Sequence, residues 1–253
     1  MKLAIALKAE MLKTKRTASF YFTLVGAAVI PFTFLLNLIV DGLDDTRKDP
    51  LNSIFRVASE MNGLVIFPMF VILVCTLLPQ IEYRNNTWKQ VLTAPHTKGR
   101  VFLAKFLNIH LLLFLFLVAD LIFMGVVVVA ANFIDPSLHL LQNPFDLGKV
   151  LAKWGNMYLA ALAIGSFQFW LGLRFRNFII PIAVGLALWL TGTLMVFEYK
   201  SSFATYFPYS FQTFSLLPRT QPLLGQMAWT SLAYALLFLI LGFADFRNRR
   251  MTA

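Results

Sequence analysis

Six long apolar stretches dominate the chain, at 20–40, 61–81, 107–131, 154–173, 178–197 and 226–244, and polar or charged segments separate them. Each is long enough to cross about 30 Å of hydrocarbon at about 1.5 Å per helical residue. Backbone groups in lipid must be satisfied within their own segment, so these runs predict an all-α, polytopic membrane protein with six transmembrane helices in a single domain over 1–253. Before the first span, in residues 1–18, Leu3, Leu7 and Met11 recur at i, i+4 and i+8 with Lys8, Lys13 and Lys15 around them. That spacing predicts an interfacial amphipathic helix, the plainer alternative being a merely basic flank.

Composition changes the picture little. With 58% apolar and 13% charged residues and a mean hydropathy of +0.71, a soluble globule is excluded, and 26 Phe, 5 Trp and 7 Tyr exclude disorder. A cleaved signal peptide is a poor description of the first run, which has about 21 apolar residues where about 7 to 15 are usual. Pro31 also sits in its middle. The single cysteine, Cys75, allows no internal disulfide.

The net charge of +10 is unevenly spread. Most Lys and Arg lie before span one, in the loop after span two, at Arg174 and Arg176, and in the tail with Arg247, Arg249 and Arg250. The other connections hold fewer, and the first of them carries Asp41, Asp44, Asp45 and Asp49. The bias predicts a cell-membrane protein with both termini cytoplasmic. Its basic residues then face membrane lipid, and the charge calls for no nucleic acid.

Catalytic motifs are missing. His96, His110 and His139 are dispersed, and no metal-binding or nucleophile pattern occurs. Gly148-Lys149 ends like a phosphate-binding loop, but Asn143 replaces its first glycine and Val150 its Ser/Thr. The chain is therefore expected to be no enzyme and to hold no cofactor or metal of its own.

The connection after span two reads from Glu82, Tyr83 and Arg84 through Asn85, Asn86, Thr87 and Trp88 to Val91, Leu92, Pro95, Arg100 and Lys105. The two asparagines tolerate a left-handed turn. Residues 87–93 then predict a short helix presenting Trp88, Val91 and Leu92, ended by Pro95. Such a helix outside the membrane is either a docking knob or an ordinary interfacial loop.

This run resembles the pattern of type-2 ATP-binding-cassette exporter permeases in its order of Glu82, Thr87, Val91, Leu92, Pro95, Arg100 and Lys105, with Asn86 where glycine is common. The opening 10–17, from Glu10 through Lys13 and Arg16 to Thr17, is similar to the lantibiotic-immunity and bacitracin-type branch. The resemblance implies a permease paired with a second permease subunit, identical or not, and bound to a dimer of cytoplasmic ATPases that hold ATP and Mg. Residues 84–95 would form the main coupling helix, with Glu82 at its hinge, and the turn bearing Arg174 and Arg176 would be a minor contact. The implied cargo is an amphipathic peptide, an antibiotic or a lipid-like compound.

Inside the bilayer, Asp120 near the middle of span three costs on the order of 2.5 to 3.5 kcal/mol to insert. It is expected to be either a substrate or proton site or a helix contact, with Gln168 or Ser166 of span four as its partner. The proton reading would make the chain a secondary transporter using Asp120, and a third alternative is a non-transporting anchor or sensor. The last outer connection, 199–225, contains Phe203, Tyr206, Phe207, Tyr209, Phe211 and Phe214. The family resemblance implies a hydrophobic lid of short re-entrant helices here, the alternative being an aromatic belt at the interface.

Overall fold

The computed structural model describes residues 3–41, 49–93 and 97–248. Their helices are α1 (Leu3–Thr14), α2 (Ala18–Asp41), α3 (Pro50–Met61), α4 (Phe67–Arg84), α5 (Trp88–Thr93), α6 (Lys98–Ile134), α7 (Leu147–Arg174), α8 (Ile179–Phe197), α9 (Phe211–Leu216) and α10 (Leu224–Asn248). A five-residue π-helical segment, Asn62–Ile66, joins α3 to α4 in one continuous rod. No strand occurs among the described residues, and six helical rods are long and apolar enough to cross a membrane. The chain is an all-α, multi-pass membrane protein.

The starts of the rods follow local chemistry. Asp49 accepts from the Asn52 amide and Pro50 opens α3, Thr97 accepts from the Arg100 amide to open α6, and Asp146 accepts from the Lys149 amide to open α7. Each cap satisfies a backbone donor that the first helical turn leaves free. The second rod begins at Pro50, not at 61 as its apolar run implies. Its first twelve residues are amphipathic, burying Leu51, Ile54, Phe55 and Ala58 while Arg56 stays exposed, so hydropathy alone hides this helix.

The rod containing α4 packs with α6 and α7 at the centre of the bundle, and α2, α8 and α10 surround them. Phe116 of α6 stacks on Phe70 at 4.5 Å, and Phe102 meets Phe169 of α7 at 5.0 Å. Close backbone approach depends on glycine at two crossings. A Cβ on Gly172 would lie 2.6 Å from the Cys75 carbonyl oxygen, and one on Gly192 would lie 2.7 Å from the Tyr209 carbonyl. Val25, Phe32 and Ile39 on α2 and Trp229, Leu236 and Ile240 on α10 point outward. Lipid is the solvent those faces fit.

α1 lies against α6, but on the face that carries Ala6, Glu10 and Thr14. The expected ridge does not pack there: Met11 is exposed and Leu3 and Leu7 are half-buried. The polar face turns inward because α6 and α4 offer it charged and amide partners.

Candidate functional site: the basic end of the bundle

One end of the bundle gathers α1, the last turns of α4, α7 and α10, and the first turns of α6 and α8. The joints are specific. The Lys98 ammonium donates to the Arg247 carbonyl at 2.7 Å, joining α6 to α10. Tyr83 donates its hydroxyl proton to the Leu173 carbonyl at 2.6 Å, and Gln80 donates to the carbonyls of Phe175 at 2.7 Å and Gly172 at 3.2 Å. The end of α4 thus holds the α7–α8 turn directly. After α4 the chain reverses through Asn86, whose φ of 52° is left-handed, and the Thr87 amide returns to the Glu82 carbonyl at 3.0 Å. That turn aims the six-residue α5 back across the bundle.

Four charged side chains from three helices meet beneath this turn. Lys105 of α6 lies 2.7 Å from Glu82 Oε1 and 2.8 Å from Glu10 Oε2, and Lys13 lies 2.8 Å from Glu10 Oε1 and 3.0 Å from Glu82 Oε1. Lys105 and Glu82 are almost wholly buried, so each is tolerable only because the others neutralise it. Burial would raise the Glu10 carboxyl, but Lys105 and Lys13 outweigh it and hold the group below its ordinary value. Burial likewise disfavours the Lys13 charge, and Glu10 and Glu82 overcome that and raise its pKa. Next to this cluster, Asn108 of α6 donates to the Thr14 hydroxyl at 2.6 Å. The Lys105 ammonium also sits 5.5 Å from the centre of the Trp88 ring.

Trp88 corrects the expectation of an exposed anchor. It is only 6% exposed, with its ring 5.4 Å from Tyr83 and 5.7 Å from Phe246 of α10. An indole at the first position of so short a helix is drawn to the aromatic wall behind it. Val91 is half-buried against the same core, and Thr87 is half-buried at the turn. Lys89, Gln90 and Thr93 form the exposed side of α5. Pro95 and the Leu92 side chain lie outside the described residues. Arg84 and Arg176 are exposed, while Arg174 pairs with Asp245 of α10 at 2.9 Å.

In the opposite half, Asp120 and Gln168 are not brought together. Asp120 is buried beside Asn62 of the π-helical segment, whereas Gln168 donates to the Pro181 carbonyl of α8 at 3.0 Å. The expected partner was wrong because α6 faces the second rod at that depth, and the π turn directs Asn62 towards it. Trp189 of α8 donates to the Leu64 carbonyl of the same segment at 3.2 Å. Residues 199–225 fold into short 3-10 turns around α9, which contacts α7 and the π segment. Tyr209 and Phe211 are buried, Phe207 is half-buried, and Phe203 and Tyr206 are exposed. No cluster of three His, Cys, Asp or Glu able to hold a metal occurs among the described residues.

A family model described as "ABC-2 family transporter protein" matches residues 6–192. The chain belongs to the ABC-2 transporter family. No curated protein matches it. It is a membrane permease of an ABC transporter, of the type-2 exporter kind, and ABC-2 permeases are generally non-catalytic subunits that typically work with an ABC ATPase. In this ABC-2 permease the first and last charges of that sequence pattern, Glu82 and Lys105, touch, and the Trp88 ring lies against Lys105. Lys105 and Glu10 carried the pattern without revealing that they pair. Asn62 gave no signal, since a lone polar residue at the head of an apolar run is common.

Proposed function

We propose that the chain forms the translocation path of an exporter for an amphipathic peptide, antibiotic or lipid-like compound, in the lantibiotic-immunity and bacitracin-type branch, with a second permease subunit. In this reading the basic end is cytoplasmic and a dimer of ABC ATPases, which binds the ATP and Mg, docks on it. The observation that supports it is the construction of α5. Trp88 and the four-charge cluster fasten that helix to α4, α6 and α10, while Lys89, Gln90 and Thr93 face outward. A docked domain that moves such a helix moves three spans with it; a loose loop would absorb the motion. The α7–α8 turn with Arg174 and Arg176 shares the load through Gln80 and Tyr83. Residues 199–225 close the outer end of the path.

The test separates docking from folding. Lys89→Glu combined with Gln90→Ala should reduce ATPase copurified from mild detergent by roughly tenfold or more, because truncating central contacts dominates interface energy. The unfolding midpoint should stay unchanged, since both side chains are exposed. Normal ATPase retention and normal transport in that variant would reject α5 as the coupling element. A reporter after Ala253 should be cytoplasmic and one near Asp45 outside; finding both on one side would reject the six-span topology. Transport that collapses in Asp120→Asn and does not depend on ATP would replace the exporter with a proton-coupled carrier.

A further inference from the structure

We infer that the basic end carries a binding site for the phosphate-bearing headgroup of an anionic lipid from the cytoplasmic leaflet. The site is a groove of about 790 Å³ between the α1–α2 elbow, the end of α4 and the α7–α8 turn. Arg16, Arg84 and Arg176, one from each of these three segments, line it, and no carboxylate does. All three arginines are exposed, and they form no ion pair among the described residues. At the same end Lys13, Lys105 and Arg174 each face a carboxylate. Three uncompensated guanidinium groups around one hollow are therefore a site waiting for an anion.

Location decides between anions. The groove lies where α2 and α8 begin and α4 ends, the level at which the spans leave hydrocarbon. Its lining includes the Thr17 and Ser19 hydroxyls and the Gln80 side-chain carbonyl, acceptors suited to the hydroxyls of a glycerol or sugar headgroup. Beside it, Tyr21, Phe22, Phe178 and Ile179 expose apolar surface on α2 and around the start of α8, where acyl chains would lie. Basic pockets between spans at the cytoplasmic surface have the physical character of headgroup sites. An acidic side chain of a docked protein would satisfy the arginines but not that apolar border. The inference rests on the cytoplasmic placement of the basic end and is independent of what is exported.

Native mass spectrometry of the full chain, released from micelles containing equal phosphatidylglycerol and phosphatidylethanolamine, reads the site directly. Retained phosphatidylglycerol should exceed phosphatidylethanolamine, and R84Q/R176Q should lower it by roughly tenfold or more. K8Q/K15Q, an equal loss of charge from exposed side chains on α1 and just beyond it, should leave retention unchanged. Millimolar inorganic phosphate should not displace the lipid, because the apolar border contributes to holding it. Unchanged retention in R84Q/R176Q, equal loss in both variants, or displacement by phosphate alone would overturn the headgroup site. So would a variant that keeps its lipid but loses copurified ATPase, which would give the arginines to the partner protein. An exporter reading that failed would leave the lipid result intact.

Discussion

At the basic end, charged side chains from α1, α4 and α6 neutralise one another at 2.7 to 3.0 Å. In the opposite half, Asn62, Asp120, Tyr209, Gln212 and Thr213 each bury a polar atom that has no hydrogen-bond partner among the described residues, whereas the two such atoms at the basic end, Glu82 Oε2 and Trp88 Nε1, belong to groups that Lys105 already touches. Both arrangements remove polar groups from water, with different results. Paired charges hold one geometry firmly, since parting them leaves a bare buried ion. An orphaned buried donor or acceptor costs about 1 to 3 kcal/mol, a penalty that another arrangement, or a bound molecule, can relieve. A transporter needs both properties: one end that transmits force without yielding and one that has somewhere else to go.

The contrast is most exposed to test at Lys105. Lys105→Met removes the buried cation between Glu10 and Glu82 and leaves them only the half-buried Lys13, and should destabilise the protein by about 3 to 5 kcal/mol in detergent unfolding. A loss near zero would mean that water already reaches the cluster. Trp88→Ala should cost about 3 kcal/mol or more by emptying the space against Tyr83 and Phe246. It should lose ATPase only as a consequence of that damage, unlike the Lys89 and Gln90 changes.

Gly192→Ala should cost about 1 to 3 kcal/mol, because the obstacle is the Tyr209 backbone and cannot rotate away. Gln212→Leu should have the opposite sign. Both amide atoms of Gln212 are buried without partners, so the change should raise stability by about 1 kcal/mol while transport falls. A stabilised variant with full transport would show that these orphaned groups serve nothing.

The smallest effect is the pH profile. Glu10 is held below its ordinary 4.5, so its contribution is complete above that value and is lost as pH falls through the lower folded pKa. Lys13 is held above its ordinary 10.5, so its contribution is complete below that value and is lost as pH rises through the folded one. In the window between, neither group changes the unfolding midpoint, and Glu10→Gln should blunt the acid limb.

How much of this was legible in the sequence depended on range. The apolar runs gave the six rods because a spanning helix is declared by its own residues. Asp49, Pro50 and the spacing of Leu51, Ile54, Phe55 and Ala58 also declared α3, though a search for unbroken apolar windows passes over it. Partnerships across the fold were not declared. Glu10 and Lys105 are 95 residues apart, and nothing local to either names the other. The inward turn of Trp88 was equally hidden, since a six-residue helix has too little periodicity to show which face is covered. Asp120 could be marked as costly but not assigned to Asn62, because its neighbour is set by the rotation of a helix on the far side of the core.

That rotation is fixed by counting. A π turn is an α-helix holding one residue more than its turn requires, and each residue of an α-helix advances the face by about 100°. The π turn absorbs its extra residue within one turn, so α3 leaves it in the phase a plain helix would give, with Glu60 2.9 Å from Lys153 and Leu51 and Phe55 on the bundle side. Deleting a single residue from Asn62–Ile66 would therefore restore a plain helix with little rotation. Deleting one from the regular last turn of α3 would instead swing the residues before it by about 100° and turn the side bearing Leu51 and Phe55 off the bundle. The rod has slack in its residue count at the π turn and none beside it.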